Sequence, residues 1–130
     1  MTEELVTLET AKLLKAAGFK EDVSSFYELV YKGGSGPEYE IDESYDAQNY
    51  NTDVYSISAP TQSIAQRWLR ETKKLHITIY NSASGYTYDI SKADMGTVLY
   101  CFPEGPNDGG NWDTYEEALE AGIQRTLELI

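Results

Sequence analysis

The spacing of apolar residues changes period several times along the chain, and each change predicts an element. With Ile64 at zero and an advance of about 100° per residue, Ile64, Ala65, Trp68, Leu69, Thr72 and Leu75 gather within an arc of about 140°. Arg67, Arg70, Lys73 and Lys74 fall on the opposite side. This predicts an amphipathic helix with Ser58 or Ala59 as N-cap and Pro60 near its first position, where a missing N–H costs nothing. It should stop near Lys73 or Lys74, whose cations suit the negative end of the helix dipole. The period then becomes two. Leu75, Ile77 and Ile79 alternate with His76, Thr78 and Tyr80, Asn81 to Gly85 turns the chain, and Tyr86, Tyr88 and Ile90 alternate with Thr87 and Asp89. That is the pattern of a hairpin with one buried face.

The same reading extends to both ends. Thr7 as N-cap and Gly18 as terminator bound a first helix with a stripe of Val6, Thr10, Leu13, Leu14 and Ala17, onto which Phe19 folds back. Alternation from Ser25 to Lys32 and again from Glu38 to Asp42, across the breaker run Gly33-Gly34-Ser35-Gly36-Pro37, predicts a second hairpin. Its second strand turns Tyr39 and Ile41 one way and three acids the other. A strand is expected over Thr97–Phe102, then a loop over Pro103–Trp112. Asp113 with Glu116 reads as a capping box that starts a last helix, with Tyr115, Ala118, Leu119, Gly122, Ile123, Thr126 and Ile130 on one face. The small pair Ala118 and Gly122 would let that face approach a neighbour closely. These elements predict an α+β fold: a single domain over 1–130, with one antiparallel sheet of four or five strands built from hairpins and packed with three helices. Trp68, Ile64, Leu75, Ile77, Leu119 and Ile123 should share its core.

Composition narrows the function classes. The 130 residues carry 22 acids against 10 bases, a net charge of −12. Residues 1–55 hold 12 acids and 4 bases, residues 56–80 hold 1 and 4, and residues 81–130 hold 9 and 2, so the central helix is the basic island. Direct nucleic-acid binding needs a far larger electropositive footprint. A basic protein partner fits better. One cysteine, Cys101, excludes an internal disulfide framework, and with one histidine it builds no structural zinc site. No cofactor is indicated. No basic leader and no window of about 18 apolar residues is present, so a cytoplasmic protein away from the membrane is expected.

Candidate chemistry is sparse. His76 and Cys101 are the components of a Cys-His dyad, but the alternation turns His76 to solvent and puts Cys101 in the core beside Leu99. Asn107, Asp108, Asn111 and Asp113 bunch oxygen ligands in a glycine-bearing loop, yet their spacing does not follow the EF-hand pattern, and a polar turn feeding a capped helix is preferred. The irregular stretch 43–58 spaces Tyr45, Tyr50 and Tyr55 five residues apart among Asp, Asn, Ser and Thr. Eleven of the 16 aromatic residues are Tyr. A tyrosine-rich polar loop has the chemistry of a recognition surface, and these three residues are the candidate partner-binding set, with Tyr55 expected to be buried and Tyr45 and Tyr50 exposed.

In three stretches, VTLETAKLLKAAGF, APTQSIAQRWLRE with the SGY hairpin after it, and GPNDGGNWDTYEEALEAGIQRTLELI, the chain resembles a set of small uncharacterised proteins from gut Bacteroides-group bacteria, their prophages and phages. The resemblance covers about half of the chain and implies a context, a mobile-element or phage-associated cytosolic protein, with no activity or site residues. The tyrosine enrichment, the irregular stretch 43–58 and the sparse catalytic chemistry make a non-enzymatic protein-interaction module the expected function. Two alternatives stand beside it: an acidic nucleic-acid mimic that blocks a DNA-binding protein, and a small hydrolase using His76 or a carboxylate pair.

Overall fold

The computed structural model describes residues 4–34, 36–107 and 109–130, Lys32 by its backbone alone. The fold is α+β, with three helices and six strands among the described residues. The strands form two antiparallel sheets of three, where the sequence reading expects one sheet of four or five. Contacts gather the chain into two compact units, Leu5–Thr61 and Gln62–Ile130, the latter joined by Glu4.

In the first unit, helix α1 (Leu8–Ala16) follows its N-cap Thr7, whose hydroxyl accepts from Thr10 N. Gly18, at φ 96°, ends it as expected. Phe19 N donates to Leu14 O at 3.0 Å and Gly18 N to Lys15 O at 3.1 Å, the two bonds of a Schellman motif. Phe19 is thereby folded onto the helix and buried, with Val6, Thr10, Leu14 and also Ala11, which the stripe did not include. Strands β1 (Val23–Lys32), β2 (Gly36–Gln48) and β3 (Ser56–Ser58) lie in the order β2-β1-β3. Lys32 pairs with Gly36, so the glycine-rich run is the hairpin turn it was read to be, with Ser35 outside the described residues. β2 is longer than its alternation suggested. It continues through a bulge, because Ser25 pairs with Glu43 but Val23 with Gln48, and so absorbs the first part of the stretch read as a loop. β3 pairs only with Phe26, Tyr27 and Glu28; past that point β1 and β2 are a two-stranded ribbon. Tyr27 donates its hydroxyl to Val6 O at 2.9 Å and Lys12 Nζ sits 5.4 Å from the Tyr39 ring centre, which puts α1 on the Tyr27/Tyr39 face.

In the second unit, helix α2 (Gln62–Thr72) begins later than the Ser58 or Ala59 cap predicted, because those residues are still committed to the sheet: Ala59 N donates to Ser25 O and Pro60 O accepts from Val6 N. Lys74, at φ 59°, turns the chain straight into the hairpin of β4 (Leu75–Ser82) and β5 (Gly85–Lys92), and β6 (Val98–Tyr100) adds to β5. Helix α3 (Tyr115–Glu128) starts one residue after the cap predicted. Thr114, not Asp113, accepts from Glu117 N at 3.1 Å and donates to Glu117 Oε1 at 3.1 Å, so the N-cap is shifted by one and the Glu117 carboxylate takes the hydroxyl of the cap. α2 packs on β4 and α3, and α3 on β4 and β5. Trp68, Ala65, Leu69, Ile77, Tyr88, Ile90, Leu119 and Ile123 are buried there; Ile64 and Leu75 are half-buried. Tyr115 and Ile130 are exposed and Leu127 is buried in their place. Gly122 does bring α3 close: a Cβ on it would stand 3.0 Å from Ile77 Cγ2 and 3.3 Å from Tyr88 Cγ.

Candidate functional site

Facing residues of an antiparallel pair share a face, so the register of β1 and β2 assigns every side chain of the ribbon. Phe26 faces Asp42, Glu28 faces Glu40 and Val30 faces Glu38. Four carboxylates therefore project from one side, and all four residues are exposed. Along β2 they recur every second residue, about 7 Å apart. Glu28 stands directly opposite Glu40, so two of the four carboxylates are cross-strand neighbours. The other side carries Tyr27, Leu29, Tyr31, Tyr39 and Ile41, of which Tyr31 and Ile41 stay exposed.

The three candidate tyrosines all belong to this unit but have different roles. Tyr45 stands in the β2 bulge and is fully exposed. Tyr50 stacks on Phe26 with ring centres 4.0 Å apart and planes 16° from parallel, closing the inner end of the acidic face. Tyr55 is exposed, while its carbonyl accepts from Leu29 N at 2.8 Å and prolongs the β3 pairing. The order expected for Tyr50 and Tyr55 is thus reversed. The intervening loop is tied down at several points: Tyr50 N donates to Ser58 Oγ at 3.0 Å, Ser58 N to Asn51 Oδ1 at 2.9 Å, Asn51 Nδ2 to Phe19 O at 2.9 Å, and Lys15 Nζ to Ser56 O at 2.9 Å. Side chains of Asn and Ser supply here the bonds that a strand would draw from its neighbour.

The catalytic candidates do not converge. β5 lies between β4 and β6, pairing His76 with Ser91 and Ile90 with Tyr100, so His76 and Cys101 are two strand spacings apart, about 9–10 Å before any offset along the strands. His76 is half-buried, not solvent-facing, and Cys101 is exposed, not in the core, because β6 ends at Tyr100 and the chain leaves the sheet. The side chains of the candidate calcium loop bond within the loop and to the β4–β5 turn. Asn107 Nδ2 donates to Asp113 Oδ1 at 2.5 Å, and Asn111 Nδ2 to the hydroxyls of Ser82 at 2.9 Å and Ser84 at 2.5 Å. Asp108 lies outside the described residues. Among the described residues no cluster of three His, Cys, Asp or Glu side chains suits a metal. No helix among them is long and apolar enough to cross a membrane.

The clearest shift in acidity is at Tyr88: burial, reinforced by the neighbouring Tyr100, pushes its phenol up to about 12. A hydrogen bond to Asp89, with burial and the Asp89 charge, raises the Tyr80 phenol as well. Arg125 is raised by its hydrogen bond to Glu128, at 3.1 Å, and lies over the Tyr100 ring at 4.4 Å. Alternation already gave the acids of β2 one face. Glu28, their partner across the ribbon, needed the register, which the turn between Lys32 and Gly36 sets. No family model, no curated protein and no solved structure matches the chain.

Proposed function

We propose that this protein is a non-enzymatic interaction module whose acidic ribbon receives a basic partner protein. The observation that carries the reading is the density of acid on one face of the ribbon, where the exposed residues Glu28, Glu38, Glu40 and Asp42 stand side by side. A surface with such a concentration of one charge is complementary to a cationic one, which it would steer and orient. Exposed Tyr45 and Tyr55 in the same unit supply contact area of the kind that anchors interfaces. For the alternative of a small hydrolase using His76 or a carboxylate pair, no specific observation speaks as strongly: His76 is half-buried in β4.

The nucleic-acid mimic is kept as a second reading on one specific ground. Four carboxylates within the roughly 14 Å from Glu38 to Asp42 amount to one charge per about 3.4 Å, the linear density of one nucleic-acid strand and half that of a duplex. A mimic built this way would compete with single strands.

Titration with an oligolysine peptide at increasing NaCl tests the favoured reading. The triple variant Glu38→Gln/Glu40→Gln/Asp42→Asn should bind about tenfold more weakly and lose most of the salt dependence, while Glu116→Gln/Glu117→Gln on α3 stays within about twofold of the parent. Equal losses in both variants would reduce the effect to net charge and sink the proposal. For the mimic, the measurement is displacement of a labelled oligonucleotide from a basic single-strand-binding domain; an oligonucleotide that stays bound at saturating protein excludes it.

A further inference from the structure

Ile77, Tyr88 and Ile90 face α3, so the alternation of β4 and β5 turns Tyr80, Thr87 and Asp89 to the opposite side of the sheet. There they meet the segment after β6 and enclose a cleft of about 620 Å³, a volume in the range of small-molecule sites. Its wall is prebuilt. Gly105 N donates to Gly110 O at 2.8 Å, Asn107 N to Asn111 O at 2.9 Å, and Trp112 and Tyr86 exchange both backbone bonds at 2.8 Å. A Cβ on Gly105 would come within 2.7 Å of two backbone oxygens and one on Gly110 within 2.6 Å of Pro103 O, so this loop is packed against itself without slack. A wall fixed before binding spends little free energy on ordering.

Two features of the lining call for an occupant. Phe102 adopts φ 56°, a backbone unfavourable for a bulky residue, while 91% of its surface stays in water, so burial gives nothing back for the strain. The charges of the lining are also one-sided: Asp89 and Glu104 contribute carboxylates, and among the described residues none in the lining is Lys, Arg or His. Tyr80 bonds to Asp89, but a single phenol hydrogen does not saturate a carboxylate with about four lone-pair positions. Buried Asn111, which also lines the cleft, gives both amide hydrogens to Ser82 and Ser84, so its side-chain Oδ1 is the group left to accept from a donor.

We propose that this cleft binds a small organic ammonium ion with an apolar body. Asp89, Glu104 and the Asn111 carbonyl take the N–H groups and the charge, and Val98, Phe102 and the Tyr80 ring take the apolar part. An anion would meet two carboxylates; a neutral ligand would leave them without a partner. The site stands on residues separate from the acidic ribbon, so either proposal survives failure of the other.

Cys101 lines the same cleft and is the chain's single cysteine, so its rate of modification by a thiol reagent reports occupancy. Phenylpropylammonium should slow labelling saturably, phenylpropanol should need at least about tenfold more, and phenylpropanoate should not protect. Glu104→Gln, at an exposed position that leaves folding untouched, should weaken protection by about tenfold. Phe102→Gly, which relaxes the backbone, should weaken it without lowering the melting temperature. Equal protection by the alcohol, or none by the ammonium up to its solubility limit, overturns the proposal. Protection by the carboxylate overturns it too, because the neighbouring cavity of about 390 Å³ shares Cys101 and Glu104 but carries Arg125.

Discussion

The side chains of Phe26 and Tyr50 are stacked at 4.0 Å, whereas Tyr45, five residues earlier, is fully exposed. Tyr50→Ala should therefore cost about 2 kcal/mol or more, a fall of roughly 8 °C in a thermal melt, and Tyr45→Ala should stay within about 0.5 kcal/mol. Equal melting of the two variants would contradict the stacking. Gly85 shows how narrow a position can be. Its φ is 127° and an added Cβ would lie 2.2 Å from Trp112 O, a backbone atom that cannot swing aside, so Gly85→Ala should lose about 3 kcal/mol or more in denaturant unfolding. For Tyr88 the prediction concerns pH. Its folded value of about 12 lies above the ordinary phenol value of 10.0, so the folded state holds its proton more tightly than the unfolded state. The resulting stability is complete below pH 10 and is lost as pH rises from 10 towards 12. Tyr88→Phe should flatten the fall in melting temperature over that window; an unchanged slope would show that burial does not hold the proton.

The elements divide according to how local their causes are. α1 was readable from Thr7 to Phe19 because N-cap, stripe and glycine terminator all lie within one short segment. The α3 cap was read one residue early, since Asp113 and Thr114 offer the same oxygen chemistry and only the path of the chain selects between them. β2 was read short because its second half is a bulge, where period-two alternation fails by construction. This strand also carries the test of what its acids are for. Neutralising Glu38, Glu40 and Asp42 together changes exposed positions only, so it should leave stability within about 1 kcal/mol while weakening binding to a basic peptide. Acids kept only to stop an edge strand from pairing with other chains would instead give a variant that self-associates with unchanged binding, which sedimentation would detect.

Across the molecule the acidic excess is spread over both units: residues 5–61 hold 10 acids against 4 bases, and the remainder holds 12 against 6. A compact state with net charge −12 is opposed by its own repulsion, and added salt screens that repulsion beyond a Debye length of about 10 Å at 0.1 M. The melting temperature should rise from low salt to about 0.1 M NaCl. A fall would mean that local ion pairs outweigh net repulsion.

The sequence by itself determined the kind of each main element, the two hairpins, the buried positions of Trp68, Ile77, Leu119 and Ile123, and the excess of acid, because periodicity, turn residues and charge are properties of neighbouring residues. Tertiary structure alone decided how the strands divide into two sheets, that Glu28 stands across from Glu40, that Tyr50 is the stacked ring and Tyr55 the exposed one, and that Asp89 and Glu104 line one cleft. Each of these joins residues whose pairing depends on register and on where a loop returns, and no local pattern encodes that.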